Sequence, residues 1–377
     1  MRNYAFLFFS VLLFASCSQK VEISVFNNSE VDRVNEMVEI CFCQLNEFDA
    51  SKVIVLNNED KQIPCQILYK GSDTPKALIF PVTLKAGKET SFFVKEGTPD
   101  QLPAKTSARY VAEYKGDMSW ENDKIGFRMF GPGMAGENPG NGVDVWLKRT
   151  NSLVFDKWYQ NDLSHKTSFH NDNGEGLDCY EVGRTLGAGG ICPYSEDSLW
   201  IGRCFDRYKV LDNGPIRSSF ILYYDSIRYQ NKKLKAELVV TLDAGSNLNE
   251  ARIKYFGDTT KIRLASGIIL HDTIQALTEN ANQGFIAYAE AIFAQNGKKV
   301  AAGRCFTGVV FPTQSVKIKR QAGHSIGICD YVVGDEFTYY FGAGWNKHGF
   351  KKDIDWLCYV ADKRTAVTQP LKIRILK

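Results

Sequence analysis

Ser218-Ser219-Phe220-Ile221-Leu222-Tyr223-Tyr224 and Leu234-Lys235-Ala236-Glu237-Leu238-Val239-Val240-Thr241-Leu242 read as two β-strands. Apolar residues alternate with polar ones or run together, and β-branched and aromatic side chains dominate, as in strands that bury one face or both. The same texture recurs from Ala251 to Phe256, Lys261 to Leu270, Gly284 to Phe293, Lys299 to Phe311, His324 to Val333 and Phe337 to Phe341. Strands of this number and length suit a large two-sheet sandwich better than alternating strands and helices. No 15-residue stretch holds a clean helical period, so few helices are expected and the class is all-β.

Upstream the rhythm is quicker. Val21 to Phe26 alternates, Val38 to Phe42 follows, and Val53-Ile54-Val55-Leu56 runs into the turn signal Asn57-Asn58. Ala77 to Val82 and Ser91 to Val94 continue at the spacing of a small antiparallel sandwich. Gly97-Thr98-Pro99-Asp100-Gln101-Leu102-Pro103 then interrupts the pattern, which predicts an N-terminal β-sandwich over residues 17–102 and a larger sandwich over 103–377.

Residues 1–16 have the form of an export signal. A basic start at Arg2, an apolar run from Tyr4 to Phe14, and Ala15-Ser16 before Cys17 match a lipoprotein signal peptide cleaved ahead of a lipidated cysteine. The expectation is an outer membrane lipoprotein facing the periplasm or the cell surface, tethered by a lipid anchor on Cys17. No later apolar run approaches the ~20 residues of a membrane helix. With 46 basic and 43 acidic residues intermingled and a net charge of +3, the chain has no stripe for a phosphate backbone, and nucleic acid is not expected as a partner.

Ten cysteines leave nine after Cys17, so at least one thiol stays outside any intramolecular bridge. Cys41 and Cys43, two apart in a strand-like run, are expected to share a face rather than bridge each other. No paired Cys-x-x-Cys spacing suggests zinc.

Polar chemistry concentrates between Asn161 and Arg217. The run Ser168-Phe169-His170-Asn171-Asp172-Asn173-Gly174-Glu175-Gly176-Leu177-Asp178-Cys179-Tyr180 sets one imidazole among three carboxylates, mixed with bulky apolar residues that argue for a packed segment with paired polar groups. His170 is the first candidate for proton transfer. Asp172, Glu175 and Asp178 are alternatively oxygen donors for a hard divalent cation such as calcium, although their spacing is not that of an EF-hand loop, and no cofactor is otherwise expected. Gly187-Ala188-Gly189-Gly190 lacks the Gly-Lys-Ser/Thr of a phosphate loop, so its glycines are read as permitting close backbone approach. His271 follows the apolar run Ile268-Ile269-Leu270 and precedes Asp272, which is placed to orient its ring. His165, His324 and His348 are read as structural or exposed, and Gly-x-Ser-x-Gly is absent.

Seven segments carry a resemblance to a known family. Trp120-Glu121-Asn122-Asp123 with Gly126-Phe127-Arg128, Gly142 to Trp146, His170 to Tyr180, Gly183 to Pro193, Val210 to Pro215, Ala244 to Leu248 and Tyr339 to Trp345 resemble DUF4861, a family of unknown function. The resemblance covers nearly all of the chain beyond the signal, most specifically from His170 to Pro193. It implies an envelope lipoprotein of Bacteroidetes encoded among polysaccharide-utilisation enzymes. It also implies a fold similar to the galactose-mutarotase supersandwich, preceded by a small β-domain like that of exo-acting rhamnogalacturonan lyases. Family members are linked to dehydration of uronate-containing oligosaccharides, and such an oligosaccharide is the expected partner.

Elimination beside a uronate carboxylate requires a base, a cation or donors for the enolate-like charge, and an acid for the departing oxygen. In that scheme His170 is base or acid with Tyr180 or His271 as counterpart, Arg184 clamps the carboxylate, and Trp345 offers a sugar-stacking face with Lys347 close by. A glycoside hydrolase using Asp178 and Glu290 is the second enzymatic reading. A glycan-binding lipoprotein without chemistry is the third.

Overall fold

The structure is a computed structural model and describes residues 20–45, 47–137, 140–271, 276–295, 299–313 and 315–376. Residues 1–16, read by sequence as an export signal, and also Cys17 and Asp272 lie outside the described residues.

The all-β expectation holds. The strand Arg217–Tyr229 pairs with Lys232–Asp243 through a tight hairpin, and both sit in an eight-stranded antiparallel sheet. In order across it run Arg207–Asn213, Arg217–Tyr229, Lys232–Asp243, Leu248–Phe256, Phe337–Trp345, Lys299–Val310, Phe285–Gln295 and Ala276–Asn280. Two five-stranded sheets face it. One holds Thr106–Val111, Asp117–Asn122, Gly126–Met129, Asp144–Lys148 and Gly176–Asp178; the other holds Lys317–Gln321, His324–Val332, Lys261–Ile269, Ala188–Ser195 and Ser198–Leu199. A single core unites the three sheets, with Phe220, Leu238, Ile253, Val309 and Phe341 meeting Trp120, Phe127, Val145, Leu264 and Ile268.

Period-two alternation explains both faces of the eight-stranded sheet. In the strand Phe285–Gln295, Ile286, Tyr288 and Ile292 point into this core, whereas Phe285, Ala287 and Ala289 point outward. The outward face is covered by helix α2 (Asp353–Thr368), which lays Trp356 and Val360 on it; helix α1 (Phe155–Leu163) packs Phe155, Trp158 and Tyr159 against Trp146. Glu290 shares the inward parity of Ile286 and Tyr288, so the alternation drives a carboxylate into an apolar layer, where it needs a partner.

A smaller sandwich is built from the sheet Lys20–Phe26, Glu89–Glu96, Val53–Leu56 and Gln62–Ile63 facing Arg33–Cys41, Ala77–Leu84 and Gln66–Leu68. Its first sheet is completed by Lys372–Leu376, from the segment assigned by sequence to the larger unit, which pairs antiparallel with Lys20–Phe26. Buried Arg33 fixes the returning chain by donating to the Gln369 carbonyl at 2.6 Å. Polar contacts join the two sandwiches. Arg217 bridges Glu39 and Asp243 at 2.6 Å each, and the Gln66 amide oxygen accepts from the Ile216 and Arg217 N–H groups.

Two local expectations resolve differently. Cys41 and Cys43 form a disulfide with their Cα atoms 5.3 Å apart, because the strand ends at Cys41 and a 3-10 turn over Phe42–Gln44 swings the second sulfur back; the shared-face reading assumed a continuing strand. Seven other cysteines are free thiols. The glycines at 187–190 serve close approach as expected: Gly187 has φ +57° and Gly189 φ +131°, and a Cβ at either would strike the Val143 carbonyl or the Phe341 side chain.

Candidate active site

The strand Gly126–Met129 sets Arg128 opposite Asp144, and Asp144–Lys148 in turn pairs with Gly176–Asp178. Three neighbouring strands thus deliver Arg128, Asp144 and Asp178 to one buried point. Arg128 Nη2 lies 2.6 Å from Asp144 Oδ2 and 2.9 Å from Asp178 Oδ2, while Asp117 Oδ2 stands 3.9 Å from Nε. The Trp146 indole N–H donates to Asp144 at 3.1 Å, and its ring lies 5.0 Å from the guanidinium. Three buried carboxylates thus share one cation. Burial pushes Asp178 well above the usual carboxylate range, with Asp144 adding to the rise and Arg128 opposing it. Asp144 is raised by burial against the same guanidinium, and burial carries Asp117 to about 6. Burial works against the charge of Arg128, but the surrounding carboxylates outweigh it and hold the guanidinium firmly protonated.

His170 stands at the edge of this network. Its Nδ1 is 2.9 Å from the Asp178 main-chain oxygen and 3.7 Å from Asp178 Oδ2. A carbonyl only accepts, so Nδ1 carries a proton, and it is Nε2 that presents the lone pair when the ring has a single proton. No protein group among the described residues bonds Nε2, and the side chain is 43% exposed. Phe169, buried against Trp146 at 4.5 Å between ring centres, fixes the segment that carries it.

His271 is different. Its Nδ1 lies 2.9 and 3.1 Å from the two Glu290 oxygens, and Nε2 bonds the Glu181 carbonyl. Both ring nitrogens face acceptors, the arrangement of an imidazolium. Burial alone would lower its pKa; Glu290 and the Glu181 carbonyl outweigh burial and raise it. Glu290, nineteen residues on along the chain, is a carboxylate that orients the ring. Tyr180 meets the His271 ring edge-on at 5.0 Å, and its buried hydroxyl has no hydrogen-bond partner among the described residues. Burial pushes that phenol far above its ordinary range, so it stays protonated.

The two histidines contact main-chain oxygens of Asp178 and Glu181, residues three apart whose Cα atoms lie within roughly 11 Å. One short segment, Asp178-Cys179-Tyr180-Glu181, therefore carries a histidine with a free nitrogen at one end and a histidine cation at the other. Removing the Glu290 charge tests the second half. In Glu290→Gln, the His271 titration followed by NMR should fall below its wild-type value, since burial then acts with little opposition; an unchanged titration would refute the pairing.

The remaining predicted residues fall in several places. Asp172 accepts from Arg149 Nη2 at 2.9 Å with Lys347 Nζ at 3.8 Å, which brings two cations to the loop that carries His170. Glu175 binds Lys157 and the Trp158 indole, and Asp178 binds Arg128, so the three carboxylates proposed for calcium turn to three different partners. Among the described residues, no group of three His, Cys, Asp or Glu side chains is arranged to hold a metal ion. Trp345 is 1% exposed, its indole bound to the Ala302 carbonyl, and Lys347 lies 4.8 Å over its ring; this tryptophan is core and not an open stacking face. Arg184 lines a separate cavity whose walls include neither His170, Tyr180 nor His271.

Sequence reasoning passed over Arg128, Asp144, Asp117 and Arg149. The signal available was a charged residue inside an apolar strand, as in Gly126-Phe127-Arg128-Met129 and Asp144-Val145-Trp146-Leu147.

Comparison with known proteins agrees on the fold. The chain is 27% identical over 401 residues to "Uncharacterized protein P7" of Formosa agariphila, with complete coverage of both. Two solved structures from Enterococcus faecalis, a protein in the glycosyl hydrolase family 38 and an alpha-mannosidase, superpose on 95% of the chain with TM-scores of 0.52 at 10% and 9% identity. The chain spans about half of their length, 47% and 46%. The family described as Domain of unknown function (DUF4861) matches residues 25–373, nearly the whole of the described fold, and the chain belongs to that family.

Proposed function

We propose that this protein is a carbohydrate-active enzyme of polysaccharide degradation that eliminates water or a neighbouring sugar from uronate-containing oligosaccharides. The observation that carries the reading is His170, whose tautomer is set by the Asp178 carbonyl and whose Nε2 is left without a protein partner. The likeness of the fold to glycoside hydrolase structures adds a carbohydrate context.

Nε2 accepts the proton from the carbon beside the uronate carboxylate. The electrons of that C–H bond become the new C=C bond, the C–O bond at the next carbon breaks, and the departing oxygen leaves with its electron pair. It is then protonated, with His170, now carrying a proton on Nε2, as the acid at hand. Negative charge spreading onto the substrate carboxylate is met by Lys347 and Arg149, held near His170 through Asp172. The geometry supports an electrostatic role for His271, since both its nitrogens are engaged. It gives Tyr180 a packing role, since its hydroxyl is buried.

Hydrolysis by Asp178 and Glu290 has less support. Both are 2% exposed and already bound, to Arg128 and to His271. Retaining and inverting mechanisms both need carboxyl groups that reach the glycosidic bond.

The test is incubation of the pure protein with a panel of uronate oligosaccharides, followed by absorbance of the unsaturated uronate and by mass spectrometry. Loss of one water identifies a dehydratase, and cleavage to an unsaturated product identifies a lyase. Saturated cleavage products would show hydrolysis and sink elimination.

A further inference from the structure

One cavity lies apart from the histidine strip. It has a volume of about 650 Å³ and is walled by Arg184, Arg203, Arg228, Lys232 and Lys233, with Asp206 as the single carboxylate among the described residues that line it. That carboxylate is already engaged by the Asp225 N–H at 2.7 Å. All five basic residues are exposed. The space is within the ~300–1,000 Å³ of small-molecule sites.

Two features show that this charge is not ordinary surface decoration. Arg228 and Lys233 stand directly opposite each other in the hairpin between Arg217–Tyr229 and Lys232–Asp243, a like-charge cross-strand pair. Such a pair opposes the hairpin it sits in, and neither residue makes an ion pair within the described residues. Local choices that work against the fold concentrate at functional sites. The second feature is Tyr224, which lines the same cavity. It is 2% exposed and its hydroxyl finds no partner among the described residues. The hydroxyl is itself buried, so Tyr224 places an unsatisfied polar group in the floor beneath the basic wall.

We infer that this cavity is a second ligand site, separate from the His170 strip, for a small ligand carrying two or more anionic groups. Five cations spread around one hollow suit several carboxylate or sulfate groups better than one, with Lys232 also donating to the Asp258 carbonyl at 3.0 Å and Arg228 lying 5.9 Å from the Trp200 ring. The inference does not depend on the elimination chemistry.

Calorimetric titration tests it with three probes: trigalacturonate, inorganic sulfate and the neutral maltotriose. Trigalacturonate should bind and weaken steeply with added salt, sulfate should bind more weakly, and maltotriose should not bind. The double variant Arg203→Ala/Lys233→Ala removes exposed side chains and relieves the Arg228–Lys233 repulsion, so it should melt at or slightly above the wild-type temperature while losing at least about tenfold in trigalacturonate affinity. Arg149→Ala/Lys347→Ala, which removes the two cations beside Asp172 at the His170 strip, should leave the affinity at this cavity unchanged, which separates the site from the proposed catalytic one. Equal binding of maltotriose, or undiminished binding by the Arg203→Ala/Lys233→Ala variant, would overturn the inference. Sulfate binding as tightly as trigalacturonate would overturn its multivalent part.

Discussion

His170→Ala should abolish most turnover of any uronate substrate, by about a hundredfold to ten-thousandfold, the usual worth of a general acid or base. The fold should survive, because the imidazole is 43% exposed and, among the described residues, its one protein hydrogen bond is to the Asp178 main-chain oxygen. Loss should fall on kcat more than on KM, since the carboxylate-binding cations Lys347 and Arg149 stay in place through Asp172. His170→Gln should not rescue, because an amide nitrogen has no basic lone pair. Near-normal turnover with unchanged melting would remove His170 from the mechanism; a variant that unfolds would make it a packing residue.

Arg128→Met should be the most damaging change to stability. It keeps a long side chain but strands three buried carboxylates without their cation, and breaking a buried pair in this way costs about 3–5 kcal/mol. The pH dependence distinguishes this from simple loss of packing. Asp117 already titrates near 6 because burial raises it, with Arg128 pulling the other way. A carboxylate raised above its unfolded value contributes stability that is complete below that unfolded value, near 4, and is lost as pH climbs through the folded one. Without Arg128 all three folded values rise further, so the variant should regain much of its deficit at pH 4 to 5 and be weakest above pH 7. Chemical denaturation across that range checks this. A deficit equal at pH 4.5 and pH 8 would mean the carboxylates are not held apart by Arg128.

Much of the fold was legible because alternation is a local property. Lys232–Asp243 and Phe285–Gln295 declare their inward faces residue by residue, and Glu290 betrays itself as a carboxylate at an inward position. Helix α2 escaped because Trp356 and Val360 anchor it without an apolar stripe, so it lies on a sheet that supplies most of the contact. At the site, His170 was legible from the carboxylates crowded around it in sequence, although two of those turned elsewhere. The His271–Glu290 pair and the sharing of Arg128 by Asp144 and Asp178 were not, since each depends on strand register that no single segment encodes. Trp345 misled for a related reason: aromatic character says nothing about which side of a sheet a ring occupies.

The pairing of Lys20–Phe26 with Lys372–Leu376 sets a condition on biogenesis. At a synthesis rate of roughly 5–20 residues per second, the first strand waits some tens of seconds for its outer neighbour. Through that interval Val21, Ile23 and Val25 belong to a strand with an open edge, the kind of edge that recruits strands from other chains. Such a chain gains from being held unfolded until its last strand has emerged, and a nascent polypeptide stalled before Lys372 is expected to be a stickier species than one stalled after Leu376.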